Sequence, residues 1–247
     1  MVYSIIALFL LLMMPQESFK DAQLKKVRVK DAYTEKEEVI KDYFKKKGLS
    51  YHGYSLFIRA FKHEGILEAW VKNKNETTYR LLQTYSFCAT SGQLGPKRKE
   101  GDLQIPEGIY QINHFNPESN FHLSIGVSYP NASDKILSDP KHPGGAIYIH
   151  GNCVTVGCIP ITDDKIKELY VMAVEARSNG QKKIPIHIYP FRMDESNLSA
   201  NEQNFPEEII AFWKNLKPIY EDFEQSRQFK IVNVGDKGQY QLTDDLL

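Results

Sequence analysis

The sequence predicts a single domain, mainly β or α+β, built as a sandwich or partly open barrel with flanking helices. Runs of β-branched and aromatic residues recur between turn formers through the first two-thirds of the chain. Helical periodicities are few and do not alternate regularly with strands, which argues against a doubly wound parallel sheet. The chain has 247 residues, 42% hydrophobic and 12% aromatic, enough for one sizeable core.

In chain order, residues 5–14 ("IIALFLLLMM") form an unbroken apolar run. It is too short for a stable membrane anchor and suits the h-region of a signal peptide over residues 1–18. No Lys or Arg precedes it and no small-x-small cleavage site follows. Residues 19–50 read as an N-terminal helical segment: "EKEEVIKDYFKKKG" spaces Val39, Ile40, Tyr43 and Phe44 helically, with Gly48 as the stop. "YSLFIRAF" (54–61), "ILEAWVKN" (66–73) and "TTYRLLQTYSFC" (77–88) read as a three-stranded meander. A polar stretch (89–108) follows, its cluster Lys97-Arg98-Lys99 read as a solvated loop.

Strands resume at "IYQINHF" and "FHLSIGV", and 129–145 is a second loop rich in Pro, Gly, Asn and Asp. After the short strand "AIYIH" (146–150), Thr162 caps a helix. Asp163 and Asp164 lie in its first turn, and it runs to about Asn179-Gly180. "IPIHIYPF" (184–191) alternates as a strand. Residues 194–247 read as an extension packed on the 51–193 domain: a helix interrupted or kinked at Pro218, then a hairpin.

Lys plus Arg and Asp plus Glu both number 31, so there is no basic excess for nucleic acid. Chemistry concentrates in "IHGNCVTVGCIPIT" (149–162), where His150, Cys153 and Cys158 fall within nine positions. Three readings fit. A cysteine nucleophile needs a base to make thiolate; the chain can reverse at Gly151-Asn152 and bring Cys158 back to His150, with Gly157 freeing backbone N–H groups for an oxyanion. A zinc site H-x2-C-x4-C would lack a fourth ligand unless His142, His187 or Asp163 were recruited. A Cys153–Cys158 disulfide is sterically feasible but would disarm the nucleophile. With three cysteines, at least one is left free within an exported chain. Cys88, at a strand end, is expected to be buried and inert.

The same stretch resembles the signature of the L,D-transpeptidase catalytic domain (YkuD-like) family, His-Gly followed by Ser/Thr-x-Gly-Cys, and is nearest its YafK-like branch, HGxCxxxGC. "GDLQIPEGIY" (101–110), "NFHLSIGVSYPNASD" (120–134) and "IYPFRM" (188–193) are similar to further family segments, so the resemblance spans roughly 50–193. It implies Cys158 as nucleophile and His150 as base. The Gly151 carbonyl or a neighbour would orient the imidazole, with Gly157 and Thr155 at the oxyanion loop. Arg192, Cys153 and Tyr148 are the candidate substrate-binding residues, with a surface or structural ion pair as the alternative for Arg192.

The resemblance further implies acyl transfer through a thioester on peptidoglycan stem peptides, at the bond following an L-centre of a diaminoacid. An amine acceptor would make the enzyme a transpeptidase, and water a hydrolase able to release a wall-linked protein. The implied setting is the periplasm or cell envelope, with no cofactor, no metal and no stable membrane anchor. Pro160 stands where the family commonly has Arg, and Ile105 where it has Thr. A non-catalytic wall-binding module or a zinc-stabilised protein is the rival class.

Overall fold

The computed structural model describes residues 17–246, so the apolar run and the signal-peptide reading lie largely outside the described residues. Among those described, no helix is long and apolar enough to cross a membrane.

The described residues open on two helices. Ser18 caps α1 (Phe19–Leu24) by accepting from the Asp21 N–H at 3.1 Å. In α2 (Val27–Lys46) the buried residues Val29, Ala32, Tyr33, Ile40 and Phe44 form one face. Gly48, in the left-handed region at φ +63°, ends it. Val39, expected on the buried face, is exposed. The meander follows as β1 (Tyr54–Phe61), β2 (Ile66–Asn73) and β3 (Arg80–Ser86), paired antiparallel.

Next come β4 (Gly108–Asn116), β5 (Ser124–Val127), α3 (Ala132–Leu137), β6 (Tyr148–His150), β7 (Ile159–Pro160), α4 (Thr162–Ser178) and β8 (Pro185–Tyr189). The chain finishes with α5 (Glu195–Asn201), α6 (Glu207–Ser226) and a hairpin of β9 (Lys230–Val234) and β10 (Tyr240–Leu246). The sequence reading missed α3 and α5. Both are too short to show a period, and only their caps betray them: an Asn131/Asp134 capping box and Asp194 on the Asn197 N–H.

The first eight strands form one sheet in the order β3-β2-β1-β8-β4-β5-β6-β7, with parallel pairs at β1–β8 and β6–β7. It is a single curled sheet, not a sandwich. Its two edges meet: just beyond β3, the Cys88 N–H donates to the Pro160 carbonyl on β7 at 3.0 Å. Helical residues outnumber strand residues, so of the two expected classes, mainly β or α+β, the fold is α+β. The long amphipathic helices account for the excess.

One face of the sheet packs on α4, whose Ile166, Leu169, Tyr170, Met172 and Ala173 are wholly buried. Outside α4 lie α1 and α2, pinned by Tyr33 Oη to Glu175 at 2.8 Å and Tyr170 Oη to Gln23 at 2.7 Å. The helix α6 covers a second cluster, in which Phe61, Tyr189 and Phe191 meet Trp213, Leu216 and Tyr220. It continues through Pro218 as one helix. Proline deletes one backbone bond, but buried Leu216 and Ile219 anchor both sides of the defect.

A buried knot ties α6 to the 89–107 loop. The Lys62 ammonium donates to the carbonyls of Gly95 (2.7 Å) and Ile105 (2.9 Å) and to Glu107 (2.9 Å). Glu107 also accepts from the Gly95 N–H and from Trp213 Nε1, each at 2.7 Å. Desolvation pulls the Lys62 ammonium below its ordinary range, and Glu107 opposes that pull. The knot fixes a loop that composition marked as solvent-facing.

Candidate active site

The motif is built on the short parallel pair β6–β7, with Ile149 opposite Ile159 and His150 opposite Pro160. Residues 151–158 fold back along β6, so Cys158 enters β7 level with Tyr148. Aligned residues share a face and alternate residues share a side, which puts Cys158 on the side of Tyr148 and His150. The turn at 151–152 forms where the sequence placed it, with Asn152 left-handed at φ +58°. Cys158 Sγ accepts from the Tyr148 N–H at 3.4 Å and donates to the Ala146 carbonyl at 3.6 Å. Tyr148 therefore reaches the sulfur through its main chain.

His150 is buried, tilted against Phe121 with ring centroids 4.7 Å apart. Its Nδ1–H donates to the Gly151 carbonyl. That bond selects the tautomer whose Nε2 lone pair is left to act as a base. Gly151 has no room for a side chain, because a Cβ would press on the Asp163 carboxylate and lie 2.9 Å from the Phe121 carbonyl. Asp163 meanwhile accepts from the Asn152 N–H at 2.7 Å and braces the turn. The sequence reading assigned Asp163 to a helix first turn and missed this brace.

Gly157 adopts φ +127°, and a Cβ there would lie 3.0 Å from the Gln104 carbonyl. Both facts require glycine. Thr155 lies in the loop and not in a strand. Its Oγ1 accepts from the N–H groups of Gly157 (3.2 Å) and Cys158 (2.8 Å) and donates to the Cys158 carbonyl (2.8 Å). The two N–H groups expected to hold an oxyanion are thus engaged by Thr155 in this state.

Burial pushes the Cys158 thiol up, and the Tyr148 N–H and the positive field of Lys97 oppose it. Burial likewise holds the His150 imidazole below its ordinary value, with the Gly151 carbonyl opposing. Both directions favour a neutral thiol and a neutral imidazole near pH 7.

Cys153 departs from expectation. It is bonded to Cys88, 65 residues away in sequence, so it is neither a thiol beside the site nor a substrate ligand. The disulfide faces a hollow lined by Asn120, His122 and Asp163. Cys88 is likewise a half-cystine and not a buried free thiol. The Cys153–Cys158 crosslink is overturned, and Cys158 is the free cysteine. The zinc reading loses a ligand to the same bond, and among the described residues no three His, Cys, Asp or Glu side chains converge to hold a metal. His187 is in the core, its Nδ1 3.0 Å from Tyr189 Oη.

Arg192 is also occupied elsewhere. It donates to Glu68 at 2.6 Å and stacks on Phe61, within a network that includes Arg59 and Glu224. That is the structural ion pair expected as the alternative to a substrate clamp. The basic cluster is not simply solvated: Lys97 is only 5% exposed and its charge reaches Cys158. Its sequence signal was the Asp five residues on, which folds the lysine over Asp102.

The family model described as the L,D-transpeptidase catalytic domain (YkuD) matches residues 57–188. The YafK proteins of Escherichia coli strain K12 and of strain O157:H7, each provisionally named an L,D-transpeptidase, are 36% identical over 197 residues, covering 78% of this chain and 76% of theirs. Among solved structures, the helical cell shape determining protein Pgp2 of Campylobacter jejuni superposes with a TM-score of 0.45 at 16% identity, covering 80% of each chain. Bdellovibrio bacteriovorus Bd1075 gives 0.40 at 22% identity, covering 69% of this chain and 61% of that one. The sequence matches, not the superpositions, carry the assignment: the chain belongs to the L,D-transpeptidase catalytic domain (YkuD) family.

Proposed function

We propose that this protein is a cell-wall acyltransferase that carries the acyl group of a peptidoglycan stem peptide as a thioester on Cys158. The observation that carries the reading is the free Cys158 sulfur on the Tyr148 N–H, at the strand that ends in His150 with its Nδ1 fixed by Gly151.

His150 Nε2 takes the thiol proton as sulfur attacks the carbonyl carbon that follows the L-centre. The Tyr148 N–H and the field of Lys97 favour negative charge on the sulfur, which then passes to the carbonyl oxygen. Collapse breaks the C–N bond, His150 returns its proton to the leaving amine, and the thioester remains. An acceptor amine then attacks while His150 takes its proton, and the thiolate leaves and is reprotonated. General-base assistance of this kind is worth about 10²–10⁴-fold.

Export to the periplasm or another oxidising part of the envelope fits the Cys88–Cys153 disulfide, since such bonds persist where thiols are oxidised. This support is independent of the apolar N-terminal run.

Digestion of purified sacculi with and without an added D-amino acid tests the reaction. Exchange of the D-amino acid into stem peptides, or new crosslinks, is expected. Cleavage alone, unaffected by the amine, would make the protein a hydrolase that uses the same thioester, and release of a wall-linked polypeptide would name its substrate.

A further inference from the structure

Cys158 and Lys97 both meet the 144–146 segment. The Ala146 carbonyl takes the Cys158 hydrogen bond. Two residues earlier Gly144 crosses Lys97 so closely that a Cβ would sit 2.9 Å from its Cε and 3.3 Å from its Nζ. An ammonium has three N–H donors. Lys97 gives one to the Lys99 carbonyl at 2.9 Å and one to Asp102 Oδ1 at 2.6 Å. Among the described residues, nothing accepts the third.

Asp102, by contrast, is saturated. Its Oδ2 takes the N–H groups of Arg98 (2.9 Å) and Lys99 (3.0 Å), and its Oδ1 takes that of Gln104 (3.0 Å) as well as Lys97. Its two oxygens already take four donors, so the third Lys97 N–H is left without an acceptor in a buried position. Such a group is costly unless an acceptor arrives.

The other nearby cations are unsuited to supply that charge. Arg98 turns away to stack on Phe212 and pair with Asp134, and Lys99 is exposed. Pro160 offers no charge, and Arg192 is held by Glu68.

We propose that Lys97 is the anion anchor of the Cys158 site, its third N–H receiving a carboxylate of the acyl donor. The proposal rests on the reading of Cys158 as acyl carrier, and it names the feature of the donor that the site recognises. Peptides of the stem class carry free carboxylates, and one held here would fix the scissile carbonyl relative to the sulfur.

Two alkylating probes that differ only in charge test it without any stem peptide. In both, Cys158 sulfur forms a bond to the CH2 carbon, iodide leaves, and the thiol proton is lost to His150 or solvent. Rates for iodoacetate and iodoacetamide are read by intact mass on the full chain. Lys97→Met is expected to lower the iodoacetate-to-iodoacetamide ratio about tenfold, the weak end of what a charge-assisted hydrogen bond contributes, with Lys97→Arg retaining most of it.

On the wild-type protein, acetate is expected to slow iodoacetate and acetamide is not, a result that requires no variant to fold. Equal loss of both rates in Lys97→Met, leaving the ratio unchanged, would reduce Lys97 to a field effect on the thiol and overturn the anchor. Absence of acetate competition in the wild type would overturn it as well. Failure of stem-peptide turnover alongside a Lys97-dependent ratio would instead locate the fault in the proposed reaction.

Discussion

At the scale of the residue, the Cys158–His150 pair differs from a preformed ion pair. Both groups are shifted by burial toward their uncharged forms. As the proposed base, His150 is competent only while deprotonated, so activity is expected to fall as pH drops through its value. Because that value lies below the free imidazole's (about 6.5), kcat/KM should hold into mildly acidic solution before it drops. On the other side, the alkylation profile of Cys158 should rise with an inflection above the ordinary thiol range. An acid limb above the free imidazole value, or a thiolate already formed at neutral pH, would show the pair to be charged at rest.

At the scale of the element, one covalent staple holds both the catalytic loop and the sheet. Cys153 lies in the 151–158 loop, and Cys88 follows β3 and hydrogen-bonds to β7, so the disulfide closes the barrel seam at the site. A link spanning 65 residues is worth about 4 kcal/mol in the chain-entropy picture. Cys88→Ser or Cys153→Ser should therefore lose stability of that order in denaturant titration. Treatment of the wild type with a reductant should produce a similar loss, and the double variant should be insensitive to reductant. No change in the unfolding midpoint would mean that the seam is held by packing alone.

This pairing was not legible in the sequence, because disulfide partners are set by which chain ends the fold brings together. The meander, the turn at Gly151-Asn152, the stop at Gly48 and the buried face of α4 were legible, since each follows from local period or backbone permission. For one reason the sequence misplaces Lys97 and leaves Arg192 open between a substrate clamp and a structural ion pair. Charge pattern says that a cation is present, but only tertiary packing says which one is buried and which carboxylate it meets. Thr155 is marked by its motif position, yet its bonds to the Gly157 and Cys158 N–H groups depend on a loop path that spacing does not specify.

At the scale of the whole molecule, two helical layers fix a site made largely of loop. On one side α4 packs against the sheet under α1 and α2, and Asp163 at its start braces Gly151 and Asn152. On the other, α6 reaches through Trp213 and Glu107 to the loop whose Gln104 carbonyl abuts Gly157. The formal net charge is zero, so long-range steering is weak and recognition falls to local groups.

On the proposed mechanism Cys158 is the covalent acyl carrier. That role is tested most directly by intact mass after exposure to a carbapenem, an acylating mimic of the donor. The wild-type protein should gain one adduct, mapped to Cys158 and absent from Cys158→Ala, while His150→Ala, still folded, should acquire it far more slowly. An adduct that persists in Cys158→Ala, or that maps to another residue in the wild type, would contradict the account.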